Sequence, residues 1–319
     1  MKLVDLVRKA KESLSSEYTE RVERDAIVAA MMGDYLSLPS YSVVTEPFMD
    51  IEDSLAGAFM DCTSRLASGE PYQYVTGKAS FCGRDFFVAP GVLIPRPETE
   101  YLCHLVSRDI KTAFGDRSLT VLDLCTGSGC IAWTLALEFP SARVCGVDIS
   151  EDALKIADGQ FGGAGTPLPE DAREAVCGPK PASEALAGQV YNRPVFVKAD
   201  VLKGVPESLA GEFPGGLAQQ VDVMVSNPPY VLERERALMR RNVLEHEPGI
   251  ALFVPDANPL KFYKAVSDWA ERLLRPGGLL FLEQNEALPD ETAALFSSFS
   301  RVKTVEDLSG KPRFTFCVR

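Results

Sequence analysis

Two short runs of this chain carry residues whose types and spacing suit chemistry on a small ligand. The first is Val121-Leu122-Asp123-Leu124-Cys125-Thr126-Gly127-Ser128-Gly129-Cys130-Ile131-Ala132, an apolar run that turns through glycines into another apolar run. Glycine lets the backbone approach a ligand closely and take up positive φ, and the start of a following helix offers unpaired N–H groups. Nineteen residues beyond Gly129, at the end of the next apolar run, stands Asp148, followed by Ile149. A carboxylate there is placed to accept from a ribose diol. Asp200 and Val201 close a third run and set an acceptor for an amino group beside an apolar contact. The second site is Val225-Ser226-Asn227-Pro228-Pro229-Tyr230. Consecutive prolines fix an extended turn and leave carbonyls without competing N–H donors. Asn227 can accept through its side-chain oxygen, and Tyr230 offers a flat apolar face. Together they suit holding a planar NH2 group in line with a methyl donor.

The glycines alone do not choose the ligand. Gly127-x-Gly129-x-x-Ala132 satisfies the loose dinucleotide fingerprint as well as it does a loop for S-adenosylmethionine. Asp123 favours the second: an acid at the end of the first strand suits a positively charged amino-acid moiety and repels a pyrophosphate. Each acid alone would more often be a helix cap, so the inference rests on their joint placement. Three carboxylates at three successive strand ends point to an adenosyl amino acid.

The elements that must position these residues follow from periodicity. Leu3, Leu6, Val7 and Ala10 repeat at helical spacing, as do Val22, Ala26, Ile27 and Ala30 before Gly33, and Ile51, Leu55, Phe59, Cys62 and Leu66 before Gly69. These predict a small helical bundle, read either as a packing cap or as a docking surface for a large partner. Residues 80–88 suggest a hairpin, and Pro95 and Pro97 hold an extended segment in which Thr99 is a candidate helix cap. From Leu119 strands and helices alternate, which implies a mainly parallel sheet covered on both faces. Strands are expected at Thr120–Leu124, 143–147, Val195–Lys198, 221–225 and 279–283, with 302–306 and 313–318 pairing antiparallel at one edge. The expected division is a helical substrate-docking domain over 1–75, a hairpin and linker over 76–100, and an α/β domain over 101–319. That last domain carries a Gly/Pro/Ala/Glu-rich insertion over 158–193, with a short helix near 170–176.

Composition narrows the class. The chain has 319 residues, 33 basic and 45 acidic, for a net charge of −12. Such a balance argues against generic binding to phosphate backbones, which rests on Lys and Arg displacing counterions. No apolar run approaches the ~20 residues that span a bilayer, and the amphipathic N-terminus has neither the apolar run nor the cleavage site of a signal peptide. The eight cysteines include no C-x-x-C pair, and the histidines are His104 and His246, so no metal site is expected. Cys145 and Cys317 sit in apolar runs as small core residues, and a reduced, cytoplasmic protein is expected.

Asp-x-x-x-Gly-x-Gly followed by Asn-Pro-Pro-Tyr resembles the amino-group methyltransferases that act on adenine, guanine or glutamine. The closer likeness is to the release-factor glutamine methyltransferase family (PrmC, also called HemK). Pro71-Tyr72-Gln73-Tyr74-Val75-Thr76-Gly77 is similar to its Pro-x-Gln-Tyr-x-x-Gly element, and Leu93 to Glu100 matches its Leu-Ile-Pro-Arg-Pro-Glu-Thr-Glu linker. Glu247-Pro248 with Ala251-Leu252, and Asp307-Leu308-x-Gly310-x-x-Arg313, resemble two further signatures. The resemblance spans nearly the whole chain. It implies a Rossmann-like S-adenosylmethionine-dependent methyltransferase domain, with a seven-stranded sheet whose last strand is antiparallel, behind a small N-terminal helical bundle. It also implies methyl transfer to N5 of the glutamine in the Gly-Gly-Gln loop of class 1 peptide chain release factors, leaving S-adenosyl-L-homocysteine. Asn227, Pro228 and Tyr230 would be catalytic. Asp123, Cys125, Thr126, Gly127, Ser128, Gly129, Asp148, Ile149, Asp200, Val201 and Asn227 would hold the cofactor. Arg96, Pro97, Glu98, Asn227, Pro228, Pro229 and Tyr230 would meet the substrate. Cys125 departs from the family's usual glycine and puts an oxidation-sensitive thiol in the loop, and His246 stands where an aromatic is common. The rival readings are an amino methyltransferase of DNA or rRNA, which would need a basic groove, a non-catalytic adapter, and a dinucleotide oxidoreductase.

Overall fold

Apolar residues at helical spacing bury one stripe each along α1 (Leu3–Ser13), α2 (Arg21–Leu36) and α4 (Asp53–Ala67), with the short α3 (Ser42–Thr45) between them. Leu3, Leu6, Val7 and Ala10 meet Phe59, Cys62 and Leu66 in one core, which Val75 on α5 (Tyr72–Thr76) completes. The second stripe differs from the sequence expectation. Val22, Ala26 and Ala30 face solvent, and Val28, Met31, Met32 and Tyr35 are the buried face. Gly33 does not end that helix. The chain runs on because Tyr35 packs edge-on against Phe59, and Ser37, in a left-handed conformation, makes the stop. Leu55 is also exposed, and its neighbour Ala56 takes the buried position.

The computed structural model describes residues 1–162, 191–212 and 219–319. The expected hairpin is present as β1 (Lys78–Phe81) and β2 (Arg84–Phe87), antiparallel across a turn at Cys82-Gly83. Pro97 occupies the first turn of α6 (Pro97–Phe114), where its missing N–H costs nothing. Then come β3 (Thr120–Leu124), α7 (Cys130–Glu138), β4 (Arg143–Asp148), α8 (Glu151–Gly159), β5 (Val195–Lys198), β6 (Val221–Ser226) and β7 (Val231–Leu232). They are followed by α9 (Arg241–His246), α10 (Gly249–Leu252), β8 (Phe253–Val254), α11 (Lys261–Leu273), β9 (Leu274–Glu283), α12 (Pro289–Ala294), β10 (Arg301–Val305) and β11 (Phe314–Val318). The large sheet has the order β10-β11-β9-β6-β3-β4-β5. β11 runs antiparallel to both β9 and β10, so the last strand is inserted between them rather than added outside.

The pleat sends alternate residues to opposite faces. Val121, Val223, Val225 and Phe281 pack under α6 and α7, whereas Leu122, Met224, Leu280 and Leu282 pack against Tyr263, Val266, Trp269 and Ala270 of α11. Asp123 and Glu283 share the parity of the first set, which turns both toward the α6–α7 side. Gly146 in β4 leaves room for the Phe196 ring, which a Cβ there would meet at 2.7 Å. The expected insertion lies mostly outside the described residues, as does its expected helix. Its two ends are fastened together: Arg193 Nη2 is 2.7 Å from Asp158 Oδ1. Among the described residues no helix is long and apolar enough to cross a membrane, and the seven cysteines there are unbonded.

Candidate active site

The glycine turn joins β3 to α7 at the carboxyl edge of the sheet. Gly127 and Gly129 hold φ of +54° and +78°, conformations that side chains rarely adopt, and a Cβ on Gly129 would meet Ala157 at 2.9 Å. Cys125 also lies in the left-handed region, at φ +61°. Burial, with the nearby charges of Asp148 and Asp123, pushes its thiol well up. That keeps it protonated at neutral pH.

A cavity of about 240 Å³ opens above this turn. It is lined by Cys125, Thr126, Gly127 and Ser128 from the turn, Asp148 and Ile149 after β4, Asp200 and Val201 after β5, and Asn227 and Pro229 after β6. Arg96 and Thr99 reach it from the start of α6. Asp148 Oδ2 accepts from Gly127 N and Oδ1 from Ser150 N, both at 2.9 Å, and burial raises its pKa. Two contacts leave further lone pairs on those oxygens for a diol. Asp200 caps the following turn by accepting from Leu202 N at 3.0 Å. Ile149, Val201, Leu202 and Phe262 supply apolar walls.

Asp123 does not line the cavity. It is fully buried beneath it, where Oδ2 accepts from Thr126 Oγ1 at 2.5 Å and Ala132 N at 3.2 Å. Oδ1 has no partner among the described residues, and burial raises the carboxyl to about 7. An orphaned carboxylate oxygen beneath a cavity that Asp148 and Asp200 also line fits a ligand bearing a cationic amino group.

A second cavity adjoins the first and shares Leu93, Arg96, Asn227 and Ala251 with it. Its lining also includes Glu98, Tyr230, Glu235, Asn285 and Arg313. Asn227 therefore stands where the two meet. Gly129, Pro97 and Pro228 line neither cavity. Arg96 is tied to the buried Glu247 at 2.6 Å, and Glu247 also accepts from Ile94 N at 3.1 Å, which locks the proline segment against the start of α10.

The roles of three residues around the site, Thr99, Glu283 and Gln160, are not legible in the sequence. Thr99 does not cap α6, whose N-cap is Arg96. Its hydroxyl instead donates to Glu283 Oε2 at 2.8 Å and accepts from Asn227 Nδ2 at 2.9 Å, while Tyr230 OH donates to Glu283 Oε1 at 2.9 Å. Glu283 is fully buried, and desolvation lifts it to about 7. The signal that could have found it is an acid ending an otherwise apolar strand, the rule that had singled out Asp123, Asp148 and Asp200. Gln160, within the expected insertion, clamps β2 to the glycine turn through Phe87 N, Phe87 O and Ser128 O.

A sheet of this order, with its last strand reversed between two neighbours and the cavity at its carboxyl edge, has the layout of a Rossmann-like methyltransferase domain. Comparison with known proteins makes the assignment particular. Residues 5–77 match the family model described as the PrmC N-terminal domain. A release factor glutamine methyltransferase of Bacteroides thetaiotaomicron is 39% identical over 252 residues, 78% of this chain and 76% of that protein. One from Koribacter versatilis is 34% identical, over 84% and 82% of the two chains, and one from Flavobacterium psychrophilum is 30% identical, over 95% and 94%. The chain belongs to the release factor glutamine methyltransferase family.

Proposed function

We propose that this protein transfers a methyl group from S-adenosylmethionine to the side-chain amide nitrogen, N5, of the glutamine in the Gly-Gly-Gln motif of class 1 peptide chain release factors. One observation carries the reading beyond family membership. Asn227 lies at the junction of two cavities and commits its NH2 to Thr99, which leaves Oδ1 as an acceptor where a substrate amide would enter.

In this reading Asp148 holds the ribose diol, Asp200 and Val201 the adenine, and the glycine turn over Asp123 the amino-acid end. When bound, the cofactor supplies an electrophilic methyl on sulfur, which the amide nitrogen takes with loss of one proton to water, leaving S-adenosyl-L-homocysteine. A carboxamide nitrogen is a poor nucleophile because its lone pair is delocalised into the carbonyl. Asn227 and the Pro228 carbonyl accept its two protons, which orients the nitrogen and stabilises the positive charge that develops on it. Tyr230, its hydroxyl held by Glu283 and its carbonyl by Asn285 Nδ2 at 3.1 Å, presents a fixed wall to the glutamine side chain. The helical domain over 1–75 makes the docking contact, and a chain of net charge −12 suits a partner with a basic surface rather than a nucleic acid.

Mass spectrometry of a class 1 release factor incubated with enzyme and cofactor tests this. One added methyl on the glutamine is expected. An unmodified release factor, or methyl incorporated into DNA or ribosomal RNA instead, overturns it.

A further inference from the structure

We infer that Thr99 and Glu283 are positioning residues that decide which end of the Asn227 carboxamide faces the reacting nitrogen. The inference rests on the reading above, in which Asn227 accepts from the substrate amide.

A hydroxyl has one proton to give, and an ionised carboxylate only accepts. Glu283 takes one hydrogen bond on each oxygen, from Thr99 and from Tyr230. The Thr99 proton is therefore committed, and what its oxygen offers Asn227 is a lone pair. Only the NH2 end of Asn227 can meet that lone pair. Turning the amide over would set Oδ1 against Thr99 Oγ1, two acceptors about 3 Å apart with no proton between them. Thr99 is 3% exposed and Glu283 0%, so the mismatch falls on groups with little solvent to relieve it. The carboxylate thus acts on the substrate at two removes.

The placement is structural in origin. Pro97 starts α6 and sets Thr99 in its first turn, while the pleat of β9 turns Glu283 to the α6 side. The charged and titratable groups facing Glu283 are Glu98 from α6, Tyr230 from the turn after β6, Tyr263 from α11, and Arg313 before β11. Arg313 opposes the effect of burial on Glu283 and Glu98 adds to it. Protonation of Glu283 turns one of its oxygens into a donor. Thr99 is then free to present its proton to Asn227, and the amide can flip.

The test uses the full chain as wild type, Thr99→Val, Thr99→Ser, Asn227→Ala and the Asn227→Ala/Thr99→Val pair. Thr99→Val is nearly isosteric and should lower kcat by about 10–100-fold, the scale of a misaligned reacting group. Calorimetric affinity for S-adenosylmethionine should stay within about twofold, and Thr99→Ser should restore most of the rate. In the Asn227→Ala background Thr99→Val should cost nothing further, because its effect passes through Asn227. A general loss of folding would appear in both backgrounds. On cofactor-free protein, isotope-edited NMR of the Asn227 side-chain amide should show a signal that titrates with a midpoint of about 7 and loses that titration in Thr99→Val. This arm needs no substrate, whereas wild-type methyl transfer to a release factor tests the reaction itself, so failure of one is told from failure of the other. Additive kinetic losses, or an Asn227 signal indifferent to Thr99→Val, overturn the inference.

Discussion

Cys125 holds a backbone conformation that glycine adopts freely and other residues adopt at a cost of about 1–2 kcal/mol. The chain accepts it because the turn between β3 and α7 needs positive φ there. Relieving the strain should therefore stabilise the protein. Cys125→Gly is expected to be about 1 kcal/mol more stable than Cys125→Ala, which keeps the strain, in urea melts of the two variants. Asn227 sets the other expectation at this scale. Asn227→Ala removes an acceptor whose value is realised as charge develops on nitrogen, so kcat should fall by about 100-fold or more while cofactor affinity changes little. Steady-state kinetics with calorimetry separates the two, and an active Asn227→Ala enzyme would sink this account. The places of Asp148, Asp200 and the Asn-Pro-Pro-Tyr turn at strand ends beside the cavity were legible because they follow from local order along the chain. The partner of Thr99 was not: Glu283 lies 184 residues away, and only the packing of α6 on β9 brings them within 2.8 Å.

Elements were legible where one face is buried and less so where several are. Alternating strands and helices after Leu119 gave all seven strands of the large sheet, most plainly the buried central ones, which must read as apolar runs. In α2 apolar residues occur on more than one face, and the contacts made by α1 and α4, not periodicity alone, choose Val28, Met31, Met32 and Tyr35. The hairpin of β1 and β2 was expected, but not what holds it. Gln160 satisfies both backbone groups of Phe87 and reaches Ser128 O, so it ties the hairpin to the glycine turn. Gln160→Ala leaves a buried N–H without a partner and should cost about 2–4 kcal/mol in chemical denaturation. Its effect on cofactor affinity should exceed that of a surface substitution, because the turn loses its outer support.

For the molecule as a whole, the buried carboxylates set the response to pH. Burial raises Asp123 and Glu283 to about 7, and Asp148 and Asp222 also rise. An acid whose folded-state pKa exceeds its unfolded value binds its proton more tightly when folded. The stability it contributes is present below about pH 4 and is lost as pH climbs to about 7. The melting temperature of the cofactor-free protein should therefore rise as pH falls from about 8 to about 5.5, and Glu283→Gln should flatten that slope. Scanning calorimetry across the window checks it; a melting temperature that falls over that range, or a slope unchanged by the substitution, would contradict the assignment. Catalysis should move the other way, since the ionised Glu283 is the form that keeps Asn227 turned correctly. The two demands oppose each other across the same pH range.

The insertion of β11 between β9 and β10 has a consequence for how a new copy is made. Glu283 pairs in register with Phe314, so its strand has an open edge until the ribosome has delivered that residue. The N-terminal bundle is built from contacts within residues 3–75 and can form as soon as it emerges. At about 5–20 residues per second, roughly 10–50 s separate those two events. A growing chain thus completes its N-terminal bundle early and the sheet beside Glu283 last. A copy cut short before Phe314 has lost the strand that seals the edge beside Glu283.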